Sequence, residues 1–102
     1  MDTHIYKLQK SNFLGGLALV NNSNNEVSSA SVWTIPVTSN TSIIRMFSDN
    51  MAYMAYGTTA NSIIYDYLLP ANASIDIYNI VNANNVSFIA DSANCKIKIS
   101  QY

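Results

Sequence analysis

The most marked shortage in this 102-residue chain is charge. Asp, Glu, Lys and Arg make up 11% of the residues, against about 25% in an ordinary soluble domain. The net charge is −1, and the few Lys and Arg residues are scattered along the chain. We therefore expect no basic patch that could neutralise a phosphate backbone, and no direct nucleic-acid partner.

Reactive side chains are equally scarce. His4 is the single histidine and Cys95 the single cysteine, which excludes an intrachain disulfide. Nucleophilic catalysis needs a base beside the nucleophile, and the possible metal ligands lack close spacing. The aspartates available for a glycosidase-type pair occupy predicted turns or solvent-side strand positions: Asp49, Asp66, Asp76 and Asp91. We therefore predict that the protein is not an enzyme and has no metal or cofactor.

Glycine and long apolar runs are also rare. The three glycines form no phosphate-binding loop, and no apolar run is long enough to span a membrane. The stretch 13–20 is apolar but short, and Asn-rich sequence follows it in place of a cleavage motif. We expect neither a signal peptide nor a membrane partner.

Asn, Ser and Thr take the place of the missing charges with 33 residues, while 49% of the chain is apolar. A chain of this length forms one domain and buries roughly two thirds of the surface that it exposes when unfolded. Apolar and polar residues alternate strictly from Cys95 to Ser100. This period predicts a half-buried strand with Cys95, Ile97 and Ile99 facing inward.

Alternation, strand-forming residue types and flanking turn residues predict further strands at 17–20, 32–37, 41–47, 51–57, 62–69, 74–78 and 86–90. Pro36 cannot donate to a central ladder, so its strand is expected at an edge. Short strands with turn signals about 8 to 12 residues apart are typical of sandwiches and barrels. We predict an all-β fold, a small antiparallel β-sandwich or jelly-roll-like barrel of about seven or eight strands. This single domain covers residues 13–102 and follows an extended N-terminal arm, residues 1–12.

The tripeptide Met-Ala-Tyr occurs twice in succession from Met51. Asp49 and Asn50 form a turn signal between two strand-like runs, which predicts a two-residue hairpin with Ser48 opposite Met51. Period two places Met51 and Met54 on opposite faces, so the two sulfurs cannot chelate one metal. Both faces carry large apolar groups, so we expect one to meet the core and the other a neighbouring subunit.

Aromatic residues are the remaining candidates for a functional surface. Trp33 can serve in the core, in a subunit interface or in a ligand site, because aromatic rings suit all three. The arm is expected to reach a neighbouring molecule. The predicted interface residues are His4, Ile5, Tyr6, Trp33, Met51 and Tyr53.

A series of short motifs runs from about Ser42 to the C-terminus: Ile44-Arg45-Met46, Tyr53-Met54-Ala55-Tyr56-Gly57-Thr58-Thr59-Ala60, Leu69-Pro70-Ala71-Asn72, Tyr78, Val86-Ser87-Phe88-Ile89-Ala90-Asp91 and Lys96-Ile97-Lys98-Ile99-Ser100. The stretch that they span covers more than half of the chain. They resemble the small virion proteins of tailed bacteriophages, a class that includes capsid decoration, head-fibre and tail-associated β-sandwich proteins. The family pattern is a strand, a hairpin closing at an aromatic-glycine pair, a Leu-Pro-Ala turn and a final hairpin. An Asn-rich turn before Val86 departs from it, and residues 1–41 lie outside the resemblance.

The resemblance implies a non-enzymatic role in a virion. The leading expectation is a capsid decoration (cement) protein that binds the major capsid protein or other virion proteins, as a homo-oligomer or as lattice-bound copies. Its alternatives are a tail, neck or fibre component of the same virion, or a carbohydrate-binding adhesion module centred on Trp33 or Tyr53. Removal of residues 1–12 is expected to weaken particle binding while the sandwich still folds.

Overall fold

The computed structural model describes residues 18–78 and 84–102. The predicted arm and its candidates His4, Ile5 and Tyr6 lie outside the described residues. Within them the protein is all-β, with eight strands in two four-stranded antiparallel sheets. The strands are β1 (Asn21–Val27), β2 (Trp33–Pro36), β3 (Ile44–Ser48), β4 (Ala52–Tyr56), β5 (Tyr67–Leu69), β6 (Ala73–Ile77), β7 (Asn85–Ala90) and β8 (Cys95–Gln101).

The strand order follows a jelly roll. Sheet A has the order β1-β8-β3-β6, and sheet B has the order β2-β7-β4-β5. Strand β1 pairs with β8, β2 with β7, β3 with β6 and β4 with β5, as if one long hairpin were wrapped around the core. The predicted antiparallel β-sandwich is confirmed, and this topology is its jelly-roll form.

The core lies between the two sheets, because every second side chain of a strand points towards the facing sheet. Strand β8 alternates as expected, with Cys95, Ile97 and Ile99 buried and the two lysines between them exposed. Val86 and Phe88 of β7 face the same core. Each apolar side chain of this size contributes about 1.5–3 kcal/mol when it is fully buried.

The predicted hairpin at Asp49 and Asn50 is wrong. Strand β3 belongs to sheet A and β4 to sheet B, so the turn carries the chain from one sheet to the other. Ser48 pairs with Ala73 and Ile97 rather than with Met51. The final hairpin that the resemblance implies is absent for the same reason, since β7 and β8 also lie in different sheets.

Two predicted strands have the wrong bounds. Residues 18–20 are irregular, and the first strand is the polar segment Asn21–Val27. This segment pairs with β8 along its whole length. Its residues have low strand propensity, so the backbone hydrogen bonds to the strictly alternating strand β8 outweigh that propensity. The strand predicted at 62–69 is reduced to Tyr67–Leu69, and the residues before it form a loop.

Pro36 lies where the sequence predicts, at the end of edge strand β2. The buried side chain of Gln101 joins this edge to the other sheet. Its Oε1 accepts hydrogen bonds from the Thr38 backbone N–H (2.8 Å) and the Thr41 hydroxyl (3.0 Å). Its Nε2 donates to the Pro36 carbonyl at 3.2 Å. A buried amide thereby fixes one end of the sandwich.

Candidate functional site

The outer face of sheet B carries a row of large side chains. Strand register aligns Ile89 of β7, Tyr53 of β4 and Leu68 of β5 across three neighbouring strands. Tyr53 and Ile89 are half-buried, and Leu68 is exposed. The doubled Met-Ala-Tyr sequence predicts apolar groups on both faces of β4. On the inner face of this strand, Met54 is fully buried in the core.

The β4–β5 loop, residues 57–66, extends over this face and exposes more apolar surface. Ile63 is 87% exposed and Ile64 62% exposed. Tyr65 follows them and packs its ring against Tyr53, with the ring centroids 4.8 Å apart. We call Tyr53, Ile63, Ile64, Tyr65 and Leu68 the apolar patch.

Hydrogen bonds attach both ends of this loop to sheet B. At its start, Gly57 adopts a φ of 93°, which favours glycine, and its N–H donates to the Asn85 carbonyl at 2.7 Å. At its end, the Asp66 N–H donates to the Met54 carbonyl at 2.7 Å. The Asp66 carboxylate in turn accepts from the Tyr56 N–H at 2.9 Å.

A buried serine attaches the loop at a third point. Ser87 lies on the outer side of β7, beneath the loop, and is fully buried. Its hydroxyl accepts from the Ala60 N–H at 3.1 Å and donates to the Ala55 carbonyl at 3.2 Å. Ala60 is buried as well, so the loop closes over this hydroxyl.

The tip of the loop is ordered by one asparagine side chain. The Asn61 Oδ1 accepts hydrogen bonds from the N–H groups of Ile63 (2.8 Å) and Ile64 (2.7 Å). The Asn61 N–H donates to the Ile64 carbonyl at 3.0 Å. This asparagine turn fixes the backbone that presents the two isoleucines. The apolar patch is thus preorganised, which lowers the entropy lost when a partner covers it.

Carboxylates lie at the edge of the apolar patch. The Tyr53 hydroxyl donates to the Asp91 carboxylate at 2.5 Å. This hydrogen bond is the main reason that the pKa of Tyr53 is raised. Asp66 ends the loop beside Met54 and Tyr56 of β4, whereas Asp91 lies beside Met51. The patch is therefore an apolar centre with acidic groups around it, as in protein interfaces with a polar rim.

Sequence reasoning found only part of the apolar patch. The sequence predicts Tyr53 as an interface residue, but it predicts a long strand for the segment that contains Ile63, Ile64, Tyr65 and Leu68. The adjacent pair Ile63-Ile64 carried a usable signal. Two neighbouring apolar residues cannot both face one side of a strand, and the preceding Asn-Ser favours a turn.

The structure separates the other predicted interface residues. Trp33 lies on the core-facing side of edge strand β2, half-buried, with its ring 5.7 Å from that of Phe88. Tyr53 lies on the opposite face of the same sheet. Met51 is partly exposed just before β4, and its carbonyl accepts from the Asp91 N–H at 3.0 Å. Trp33 and Tyr53 therefore do not form one aromatic platform.

The Cys95 thiol is poorly placed for nucleophilic chemistry. The Cys95 thiol is buried, and burial raises its pKa, so it lacks the thiolate character that a nucleophile needs. No group of three or more His, Cys, Asp or Glu side chains in residues 18–78 and 84–102 is placed to hold a metal ion. The same part of the chain has no helix long and apolar enough to cross a membrane.

Comparison with known proteins finds no match to this chain. No protein-family model matches it, and no curated protein or solved structure is significantly similar to it. The fold and the apolar patch are therefore the observations on which a function has to rest.

Proposed function

We propose that this protein is a structural protein of a bacteriophage virion, a capsid decoration protein that binds the major capsid protein through the apolar patch. The observation that carries the proposal is the preorganised, exposed loop on the outer face of sheet B, with Ile63 and Ile64 at its tip. Contiguous exposed apolar surface on a small domain marks a site for a protein partner.

The fold agrees with this role without deciding it. Eight-stranded jelly rolls occur in viral capsid and lectin domains, and one fold hosts many functions. The resemblance to small phage virion proteins favours a virion role over that of a lectin, and it applies equally to the head and the tail. A nearly uncharged Asn, Ser and Thr surface also limits repulsion between many copies on one particle.

The energetics are those of adhesion. Burial of one isoleucine side chain contributes about 1.5–3 kcal/mol, and the loop is already ordered before binding. A ligand that binds only the assembled shell stabilises it by mass action. No reactive group is required, so we propose a role without catalysis.

The test is co-sedimentation with phage heads that lack the protein. We expect the wild-type chain to sediment with the particles and the Ile63→Asp, Ile64→Asp double variant to remain in the supernatant. Leu19→Asp is the matched control, because Leu19 is also exposed but lies before β1, outside sheet B. Urea unfolding of all variants checks that each one folds.

Electron microscopy of labelled protein on whole virions then separates head from tail. Labels distributed over the shell support decoration. Labels confined to the tail or neck would contradict capsid decoration and support a tail, neck or fibre component. Equal sedimentation of the wild-type and double-variant proteins would exclude the apolar patch as the docking surface.

A further inference from the structure

A large open groove crosses the opposite side of the molecule, on the outer face of sheet A. Its volume is about 860 Å³, within the range of about 300–1,000 Å³ that is usual for small-molecule sites. All four strands of the sheet contribute to its lining. The lining residues that matter here are Asn24, Glu26, Arg45, Phe47, Ser74, Lys96 and Lys98.

An aromatic ring lies in the groove. Phe47 is on central strand β3, on the side away from the core, and is half-buried. Strand register places it in one row with Asn24, Lys98 and Ser74, one residue from each strand. The row therefore combines an apolar ring with an amide, an ammonium and a hydroxyl group.

Positive charge in the described residues is concentrated on this face. Arg45, Lys96 and Lys98 are the only Lys or Arg residues of residues 18–78 and 84–102, and all three line the groove. Three of the five acidic side chains of the same residues lie in turns or loops. Asp66 and Asp91 are beside the apolar patch, whereas Asp49 is at the groove, where its Oδ1 accepts a hydrogen bond from the Lys96 N–H at 2.7 Å. The other two, Glu26 and Asp76, lie opposite Lys96 and Arg45 in the strand register. They reduce the positive charge that is left for a ligand.

The three cations differ in how they are paired. The Arg45 guanidinium donates to both carboxylate oxygens of Asp76, at 2.8 and 3.0 Å. Lys96 is opposite Glu26 in the β1–β8 register. Lys98 is opposite Asn24 on one side and Phe47 on the other, so its row contains no carboxylate. Lys98 is thus the cation best placed to bind an anion from solution.

We propose that this groove binds a carboxylated saccharide, independently of the proposed capsid function. The sugar carboxylate pairs with Lys98, the apolar face of the sugar ring packs on Phe47, and Asn24 and Ser74 hydrogen-bond the hydroxyls. A saccharide fits better than a peptide, because the groove is open and its lining includes polar side chains from all four strands of sheet A. Charge complementarity selects an acidic sugar over a neutral one.

A second cavity extends the groove around the edge of sheet A. Its volume is about 330 Å³, and it shares Asn25 and Glu26 with the larger groove. Trp33 lines its far part. The ligand is therefore an oligosaccharide, whose further units reach towards Trp33. Trp33 is the single tryptophan, so it reports this extension by its fluorescence.

The test is calorimetric titration of the full chain with oligogalacturonate, with its uncharged methyl ester and with polyglutamate. We expect binding of oligogalacturonate, weaker binding of the ester and no comparable binding of polyglutamate. Lys98→Gln should lower the affinity for oligogalacturonate about tenfold, the effect of one charge-assisted hydrogen bond. Lys98→Arg should retain it, and Phe47→Leu, which keeps an apolar side chain, should weaken it.

Lys96→Gln is the matched control, because it removes the same charge from the row that contains Glu26. A smaller loss than in Lys98→Gln supports the proposed placement of the carboxylate. Equal losses in the two variants, equal binding of the ester, or polyglutamate binding as strong as that of the sugar would overturn the proposal. Particle binding is measured separately, so failure here leaves the proposed function unaffected.

Discussion

Replacement of Ser87 by alanine tests how the β4–β5 loop is held. The Ser87 hydroxyl is the buried contact between this loop and sheet B, with one hydrogen bond to the loop and one to β4. Ser87→Ala removes both bonds and changes the side-chain volume little. Its effect therefore measures the hydrogen bonds rather than a packing defect.

The magnitude follows from what is left behind. The Ala60 N–H loses its partner, and Ala60 is only 1% exposed, so water cannot replace the hydroxyl without local opening. An unsatisfied buried donor costs about 1–3 kcal/mol. We expect the free energy of unfolding to fall by this amount. Ser92→Ala, in the exposed turn before β8, should change it by less than about 0.5 kcal/mol.

Urea unfolding followed by circular dichroism measures the loss of stability, and amide hydrogen exchange locates it. We expect faster exchange at Ala60 and at the loop tip, together with weaker particle binding, because the loop is less well ordered. A Ser87→Ala protein with wild-type stability and unchanged protection at Ala60 would refute the reasoning. The loop would then be held mainly by its two ends.

Two further predictions concern polar groups near the core. Gln101→Ala should lower the free energy of unfolding by about 1–3 kcal/mol, because buried Gln101 is the partner of Thr38, Thr41 and Pro36, and urea unfolding measures this. Burial is the main cause that raises the pKa of Tyr56 to about 12. A raised folded-state pKa means that its contribution to stability is complete below the ordinary pKa of 10.0 and is lost as the pH rises towards 12. Tyr56→Phe should therefore flatten the decline of unfolding free energy between these pH values.

The predictions that succeeded depend on local alternation. Strand β8 shows a strict period of two with branched apolar residues, and its inward set needs no knowledge of its neighbours. The edge position of Pro36 follows from the missing N–H alone. Burial of one face against a core enforces both patterns in the sequence, so they can be found without the structure.

The predictions that failed depend on pairing between distant segments. The turn at Asp49 and Asn50 has the same local chemistry whether it closes a hairpin or carries the chain to the other sheet. In a jelly roll, β3 pairs with β6 and β8 because the whole chain wraps as one ribbon. Strand β1 is recognisable only through β8, since Asn21–Val27 contains a single buried apolar residue, Val27.

The apolar patch was missed because its residue types are those of a strand. Ile63, Ile64 and Tyr65 have high strand propensity, yet Asn61 and the buried Ser87 hydroxyl hold this segment as a loop. Local propensity that disagrees with the observed structure is expected at functional sites. Ile63 and Ile64 have the propensity of a strand but lie exposed in a loop. We therefore base the proposed function on them.

The back-to-back arrangement of the sheets connects the two proposals. The apolar patch lies on the outer face of sheet B, and the groove around Phe47 and Lys98 lies on the outer face of sheet A. A molecule docked through sheet B would direct sheet A away from the particle. The acidic groups around the patch and the cations around the groove would then meet different partners. One small sandwich can thus attach to a shell and present a saccharide site to the surroundings, with no contact shared between the two tasks.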